Sequence, residues 1–355
     1  MKTTLTIPQP EISVEIYIGS QLLQSDFLKS LCKKLGAQIG ILGDQQVKKL
    51  YGSDLSHQLN AHYFEVPVGE RAKTREVKQQ IEDQLFKAGF GKNSLIIGLG
   101  GGSTMDLAGF VASTFLRGIS LIQMPTTLLG MVDASLGGKT AVDTLFGKNL
   151  IGTYYHPRAI VADLDTLNTL PAKERCNGLA EILKMGLIYD PEIMSDQSSL
   201  EELVVKAAKA KIAVVEKDPY ETGLRRILNY GHTIGHALEA MSDYELSHGE
   251  AVAMGCVAES YLSHKLGYLT AQEFSRIEKQ YQTKFDYLRL PKNYQRKALY
   301  HFMLHDKKKT AQGVRCVLIS QIGAPISFDG QYCRMISEAE FELAFDYMEE
   351  HYAQS

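Results

Sequence analysis

Hydrophobic positions follow two different periods along the chain. Short apolar runs at 14–18, 39–42, 63–68 and 95–99 are each bounded by turn residues such as Gly43-Asp44 and Gly69-Glu70, which predicts strands. Between the last two, Val77, Ile81 and Leu85 recur at helical spacing and predict a helix over 74–86. Strands alternating with helices predict an α/β parallel sheet with crossover helices. After Thr169-Leu170-Pro171 the texture changes. Residues 172–187, 200–216, 222–240, 249–266, 271–282 and 337–350 read as helices, and only 314–319 as a strand. The pattern predicts an α/β domain over residues 1–171 and a mostly α-helical one over 172–355, with a crevice between them as the default site.

The chain has 355 residues, enough for two domains. Its 45% hydrophobic and 22% charged residues are those of a folded globular protein, and no apolar run is long enough for a membrane span. Net charge is -3 and no basic run exceeds Lys307-Lys308-Lys309, so no global field attracts nucleic acid. Any anion must therefore be held by a local cluster. The five cysteines are scattered without a C-x-x-C pair, which argues against a disulfide framework or a zinc-thiolate knuckle. The N-terminal stretch lacks the layout of a secretory signal, so a cytoplasmic location is expected.

Three stretches carry candidate chemistry. The strand at 95–99 runs into Gly100-Gly101-Gly102-Ser103-Thr104-Met105-Asp106 and then a helix, a turn that lets backbone approach a pyrophosphate. Ser103 occupies the place of the third glycine of a dinucleotide fingerprint, and tight packing alone is the bland alternative. Asp44 and Glu70 close two other strands, where carboxylates suit ribose hydroxyls. Next, Asp133-Ala134-Ser135-Leu136-Gly137-Gly138-Lys139-Thr140 and Gly147-Lys148-Asn149 place lysines in glycine-rich turns, suited to a phosphorylated ligand or simply to a solvated loop. The upstream glycine of a P-loop is missing, which excludes that kind of ATPase. Finally, Glu181 and Lys184 share a helix face, His232 and His236 share another, and His248-Gly249-Glu250 opens a further helix. Two imidazoles and one carboxylate with an open position make a catalytic zinc arrangement, although paired surface histidines are the commoner meaning of that spacing. Lys184, Lys211, Arg225 and Asp306-Lys307-Lys308 form a scattered basic set that matters only if it converges. His57, His62, His264 and His301 have no such company and read as structural.

Taken in order, these blocks, together with Arg117-Gly118, Pro125-Thr126-Thr127-Leu128-Leu129, Glu181-Ile182-Leu183-Lys184, Asn229-Tyr230-Gly231-His232-Thr233 and His248-Gly249-Glu250-Ala251-Val252, resemble the 3-dehydroquinate synthases over nearly the whole chain. The resemblance implies a Rossmann-like NAD-binding domain and a helical metal- and substrate-binding domain. It implies Glu181, His232 and His248 as ligands of Zn2+, with Co2+ a possible substitute, leaving His236 to face the substrate. NAD contacts would come from Asp44, Glu70, Lys73, Gly102, Ser103, Thr104, Met105, Asp106, Thr126, Thr127, Lys139, Lys148, Thr166 and Thr169. The substrate set would be Asp133, Lys139, Asn149, Lys184, Lys211, Arg225, Asn229, His236 and Lys307, with Arg117 supplied across a homodimer interface. Family members usually carry other residues where Ser103-Thr104-Met105, Met131, Asp143 and Asp218-Pro219 stand here.

The implied reaction converts the sugar phosphate 3-deoxy-D-arabino-heptulosonate 7-phosphate to 3-dehydroquinate and phosphate, a carbon-oxygen lyase step of the shikimate pathway to chorismate and the aromatic amino acids. Lys139, Asn149 and Lys307 would hold the phosphate, and Lys211 and Arg225 the carboxylate. Two enzymes compete with this reading: a metal-dependent polyol dehydrogenase and a cyclase of a carboxylate-free sugar phosphate. A catalytically dead nucleotide-binding scaffold is the alternative from another class.

Overall fold

The computed structural model describes residues 12–195, 197–243, 245–305 and 314–353, so Lys307 and its neighbours lie outside the described residues. The chain forms two compact units, one of residues up to Thr126 with Gly138–Asp165, the other of Thr127–Gly137 with Thr166–Ser355. The division is not a single cut: Thr127–Gly137 groups with the helical unit, and the chain passes over for good at Thr166.

In the first unit, β1 (Glu15–Gly19), α1 (Asp26–Leu35), β2 (Gln38–Gly43), α2 (Gln45–Val47), α3 (Ser53–Leu59), β3 (His62–Glu65), α4 (Arg75–Lys87), β4 (Ser94–Gly100), α5 (Gly102–Thr114), β5 (Ser120–Pro125), the hairpin β6 (Lys139–Thr144) and β7 (Gly147–Tyr154), and β8 (Ala159–Asp163) follow one another. Six strands form one parallel sheet in the order β1-β8-β5-β4-β2-β3, the Rossmann-like arrangement. The inner strands are covered on both faces, which is why the runs at 39–42 and 95–99 read as continuously apolar, whereas the edge strand β1, with its outer positions open, alternates. Leu95, Ile97 and Leu99 pack with Leu28, Leu31 and Leu55 on one face, while Ile96 packs with Leu42, Phe64, Ile81, Leu85 and Val111 on the other. From β2 the chain steps outward to β3 and then returns past it to β4, so the topological switch lies between β2 and β4.

The second unit contains α6 (Ala172–Ile188), α7 (Leu200–Lys217), α8 (His232–Met241), α9 (His248–Lys265), α10 (Ala271–Lys284), α11 (Arg296–His305), β9 (Val314–Cys316), β10 (Ile319–Gln321), β11 (Ala324–Pro325), β12 (Arg334–Ile336) and α12 (Glu338–Tyr352). Among the described residues, no helix is long and apolar enough to cross a membrane. Two sequence expectations need correcting. The helix expected over 222–240 is a 3-10 segment at Leu224–Asn229 followed, after Tyr230-Gly231, by α8, because Gly231 turns left-handed at φ 75. The strand expected over 314–319 is two short strands in different two-stranded sheets.

Helix α9 is the hub of this unit, packing against α6, α8, α10 and α12. Its approach to α8 depends on glycine. A Cβ on Gly255 would lie 2.0 Å from the Gly231 carbonyl oxygen, and one on Gly231 would lie 2.4 Å from Cys256 Sγ. Gly255→Ala is therefore expected to cost about 1–3 kcal/mol or more, because the obstacle is backbone. Gly91→Ala, where a Cβ meets nothing within 4 Å, is expected to be nearly neutral. Thermal unfolding of the two variants checks this, and equal midpoints would contradict it.

Candidate functional site

At its switch point the sheet unit has a glycine-rich turn that runs into a helix start. Strand β4 ends at Gly100 with φ 153, and α5 begins at Gly102 with Gly101 as its N-cap, which offers no side-chain cap. Free first-turn N-H groups at the positive end of a helix are what a pyrophosphate needs, so the fold here fits a dinucleotide. Ser103 donates to Glu70 Oε2 at 2.8 Å, so the residue that departs from the glycine fingerprint orients the Glu70 carboxylate. Asp44 Oδ1 caps α2, accepting from the amides of Gln46 at 2.8 Å and Val47 at 2.9 Å.

Behind this turn lies a knot around the buried ammonium of Lys73. It sits 2.8 Å from Asp106, 3.3 Å from Glu70 and 4.0 Å from Asp143, and it donates to Asn149 Oδ1. Burial pushes the Asp106 carboxyl up to about 6 despite Lys73, with Glu70 and Asp143 adding to the rise. Asp143 also accepts from the Asn149 amide at 2.8 Å and gives its own amide to the Lys73 carbonyl at 2.7 Å, tying the β6–β7 hairpin to the knot. Asn149 is held at φ 57.

The helical unit holds the second centre. Glu181, on α6, is 1% exposed, and its Oε1 lies 3.3 Å from His232 Nε2 and 3.2 Å from His248 Nε2. One ligand atom from each of these three residues falls within 4.8 Å of the others. The remaining nitrogens are already engaged. His232 Nδ1 lies 3.0 Å from the Tyr230 carbonyl, which can only accept, so the hydrogen sits on Nδ1 and the Nε2 lone pair faces inward. His248 Nδ1 lies 3.3 Å from Glu239 Oε2, the carboxylate–histidine relay common behind metal ligands. Two inward imidazole nitrogens and one carboxylate oxygen fit a divalent metal with an open position. The His236 ring stands 4.9 Å from that of His232 and 6.0 Å from that of His248, outside the three-residue group.

The charges around Glu181 explain its state. Burial alone would push its carboxyl up, but the ion pair with Lys184 and the two histidines hold it well below the usual range. Burial and the neighbouring Lys184 push His232 down to about 4, keeping it neutral. Burial also opposes charge on His248, but bonds to Glu181 and Glu239 outweigh it and raise the group to about 10, so a metal must displace a proton there. Lys184 is fixed further by the Leu228 carbonyl at 2.9 Å.

A row of buried cations continues from this point. Lys211 bonds the Asp133 carbonyl at 2.7 Å and pairs with its carboxylate. Arg225, 2% exposed, donates from Nη1 to the Pro219 carbonyl at 2.6 Å and from Nη2 to the Gly137 carbonyl at 3.1 Å. Asn229 donates to Glu221 Oε1 at 2.8 Å. Thr127 Oγ1 accepts from the Gly130 amide at 3.0 Å, Thr126 gives its amide to the Gly100 carbonyl at 2.8 Å, and Thr169 Oγ1 donates to the Thr166 carbonyl at 3.2 Å. Arg117 is exposed on a left-handed segment at φ 62. The basic set that looked scattered in sequence thus contributes Lys184, Lys211 and Arg225 as buried groups of one unit.

Sequence reasoning assigned no role to Glu239 or Asp218. Glu239 follows His232 by seven residues, two helical turns, which is the signal that would have found it. Asp218 accepts from the amides of Thr222, Gly223 and Arg225 at 2.9, 2.7 and 2.9 Å, closing the loop that carries Arg225. No periodicity announces such a loop.

A parallel sheet with a dinucleotide turn, joined in one chain to a helical unit bearing a two-histidine, one-carboxylate centre, defines a nucleotide- and metal-dependent enzyme class. Within it the comparisons are specific. Residues 63–177 match the 3-dehydroquinate synthase N-terminal family and residues 178–309 the 3-dehydroquinate synthase C-terminal family. The 3-dehydroquinate synthase of Thermodesulfovibrio yellowstonii is 39% identical over 337 residues, covering 90% of this chain and 94% of that protein. The chain belongs to the 3-dehydroquinate synthase family. The 2-epi-5-epi-valiolone synthase of Streptomyces hygroscopicus subsp. jinggangensis, solved with NAD+ and Zn2+ bound, is 26% identical with a TM-score of 0.83, covering 98% of this chain and 99% of that one. A glycerol dehydrogenase from Schizosaccharomyces pombe shares the fold at a TM-score of 0.65 and 16% identity, covering 98% of this chain and 91% of that one.

The Asp218 loop gives a pH-dependent prediction. Burial would raise this carboxyl, but its backbone N-H bonds hold it at about 2 against an ordinary 3.8. That depression contributes about 2 kcal/mol above the ordinary value, lost as pH falls through the folded one. Asp218→Asn should therefore be less stable than wild type by about that amount near neutrality, with the gap closing as pH falls below about 4. Denaturant unfolding across acid pH checks this, and a gap independent of pH would contradict it.

Proposed function

We propose that the chain catalyses its family's reaction, from 3-deoxy-D-arabino-heptulosonate 7-phosphate to 3-dehydroquinate and phosphate, with NAD held by the sheet unit and Zn2+ held by Glu181, His232 and His248. The observation that carries this reading is the run of buried cations, Lys184, Lys211 and Arg225, in the same unit as the candidate metal group. Lys184 and Lys211 are partly balanced by Glu181 and Asp133, and three cations gathered there suit a ligand with a carboxylate and a phosphate better than a neutral polyol. This favours the family reaction over a polyol dehydrogenase.

When bound, NAD takes up and returns a hydride and the divalent metal polarises the substrate oxygens. The chain supplies the rest. Lys184 fixes Glu181 so that its Oε1 faces the two histidines, and the Tyr230 carbonyl and Glu239 fix the imidazoles. Lys211 and Arg225 grip the carboxylate, each already anchored on backbone carbonyls and so preorganised. A guanidinium presents its N-H donors in a fixed planar fork, and the carbonyls of Pro219 and Gly137 hold that of Arg225 in place. Lys139, Asn149 and Lys307 hold the phosphate, whose own oxygen takes the proton as it leaves. Asp133, Asn229 and His236 orient hydroxyls. Asp44, Glu70, Lys73, the 102–106 turn, Thr126, Thr127, Lys148, Thr166 and Thr169 line the cofactor. The exposed Arg117 completes the site of a second subunit in a cytoplasmic homodimer.

Incubation with NAD, Zn2+ and the heptulosonate phosphate should release phosphate and 3-dehydroquinate together, with no net NADH, because oxidation and re-reduction use one cofactor. Chelation should abolish turnover and Zn2+ restore it. Stoichiometric NADH without phosphate would favour the dehydrogenase.

A further inference from the structure

The helix that opens with His232 has no cap of its own. Gly231 stands at its N-cap position in the left-handed region and offers no side chain, so the first amides of α8 must find acceptors elsewhere. They find Glu259. This carboxylate, 0% exposed, accepts from the Gly231 amide at 2.8 Å through one oxygen and from those of Thr233 and Ile234 at 3.1 and 3.3 Å through the other. It reaches them from the body of α9. His248 and Glu259 are eleven residues apart, about three turns, so one face of α9 carries both. A carboxylate at a helix N-terminus is favoured by the helix dipole, and ionised hydrogen bonds are the stronger kind.

We infer that Glu259 is a positioning residue for the metal centre, a cap supplied from α9 that fixes the first turn of α8 and with it the direction of His232 Nε2. The inference rests on the reading of His232 as a metal ligand. Two restraints converge on that residue's backbone: the glycine contacts set how closely α8 meets α9, and Glu259 sets the orientation of the first turn. The Tyr230 carbonyl that fixes the imidazole tautomer belongs to the same turn, since the Gly231 amide follows it directly. Glu259→Gln keeps the volume but loses the charge, and its NH2 group must face one of the amides.

The test is metal affinity, measured by chelator competition with Zn2+ and Co2+, together with the visible absorption of the Co2+ form. Wild type, Glu259→Gln, Glu259→Asp and His232→Ala are compared. Glu259→Gln should bind metal about tenfold to a hundredfold more weakly with an altered Co2+ spectrum, the scale expected when groups behind a ligand are lost. Glu259→Asp, which keeps the charge, should recover part of the loss. Unchanged affinity and spectrum in Glu259→Gln would overturn the inference. Wild-type affinity in His232→Ala would instead overturn the metal reading beneath it. Should neither Glu259 variant fold, amide exchange in the wild-type chain decides: slow exchange at Thr233 and Ile234 supports the cap, and exchange at the rate of an open helix end overturns it.

Discussion

A carboxylate that is 1% exposed must be stabilised from within the protein, and the groups that face Glu181 come from three helices. Lys184 is on the same turn of α6, His232 is the first residue of α8, and His248 is the first residue of α9. Removing Lys184 or His248 leaves a buried charge short of a partner, a cost of several kcal/mol in general. The same requirement makes the centre useful. Two imidazoles and an ammonium that must face one carboxylate are held in place before any ligand arrives, and a metal has only to displace a proton from His248.

The packing around this cluster follows from the need to bring two helix starts together. Glycines at 231, 235, 249 and 255 let backbones meet where a Cβ would collide. Glu259 then satisfies amides that a glycine cap cannot, and Glu250 and Ser247 cap α9 reciprocally. Further along the same unit, Asp133 with Lys211 and Asp218 with the Arg225 backbone repeat the device, each buried charge being fixed by a short loop. The sheet unit solves a similar problem differently, gathering Glu70, Asp106 and Asp143 around Lys73 so that the turn after β4 has a rigid back wall.

Much of this was legible in the residues. Continuous apolar runs between turn residues exposed β2 and β4 because those strands are buried on both faces, whereas β7, mostly exposed, carries no pattern to read. The histidine spacing showed that His232 and His236 share a face, but spacing cannot choose between them. The choice depends on which ring has its Nδ1 against the Tyr230 carbonyl and its Nε2 toward Glu181. The break at Gly231 was hidden because the apolar pattern runs through it, and the glycine's task is set by α9, distant in sequence. Asp106 reads as a cofactor contact in its motif, and the fold adds an ion pair with Lys73 that the motif does not announce.

X-ray absorption at the metal edge of the zinc-loaded protein tests the central claim most directly, because it separates sulfur from nitrogen or oxygen ligands and counts imidazoles by the scattering of their ring atoms, without requiring turnover. The account predicts a first shell of two imidazole nitrogens with the remainder oxygen, at the distances usual for nitrogen and oxygen donors on Zn2+. A third imidazole, which would bring His236 into the shell, or any sulfur scatterer would contradict it.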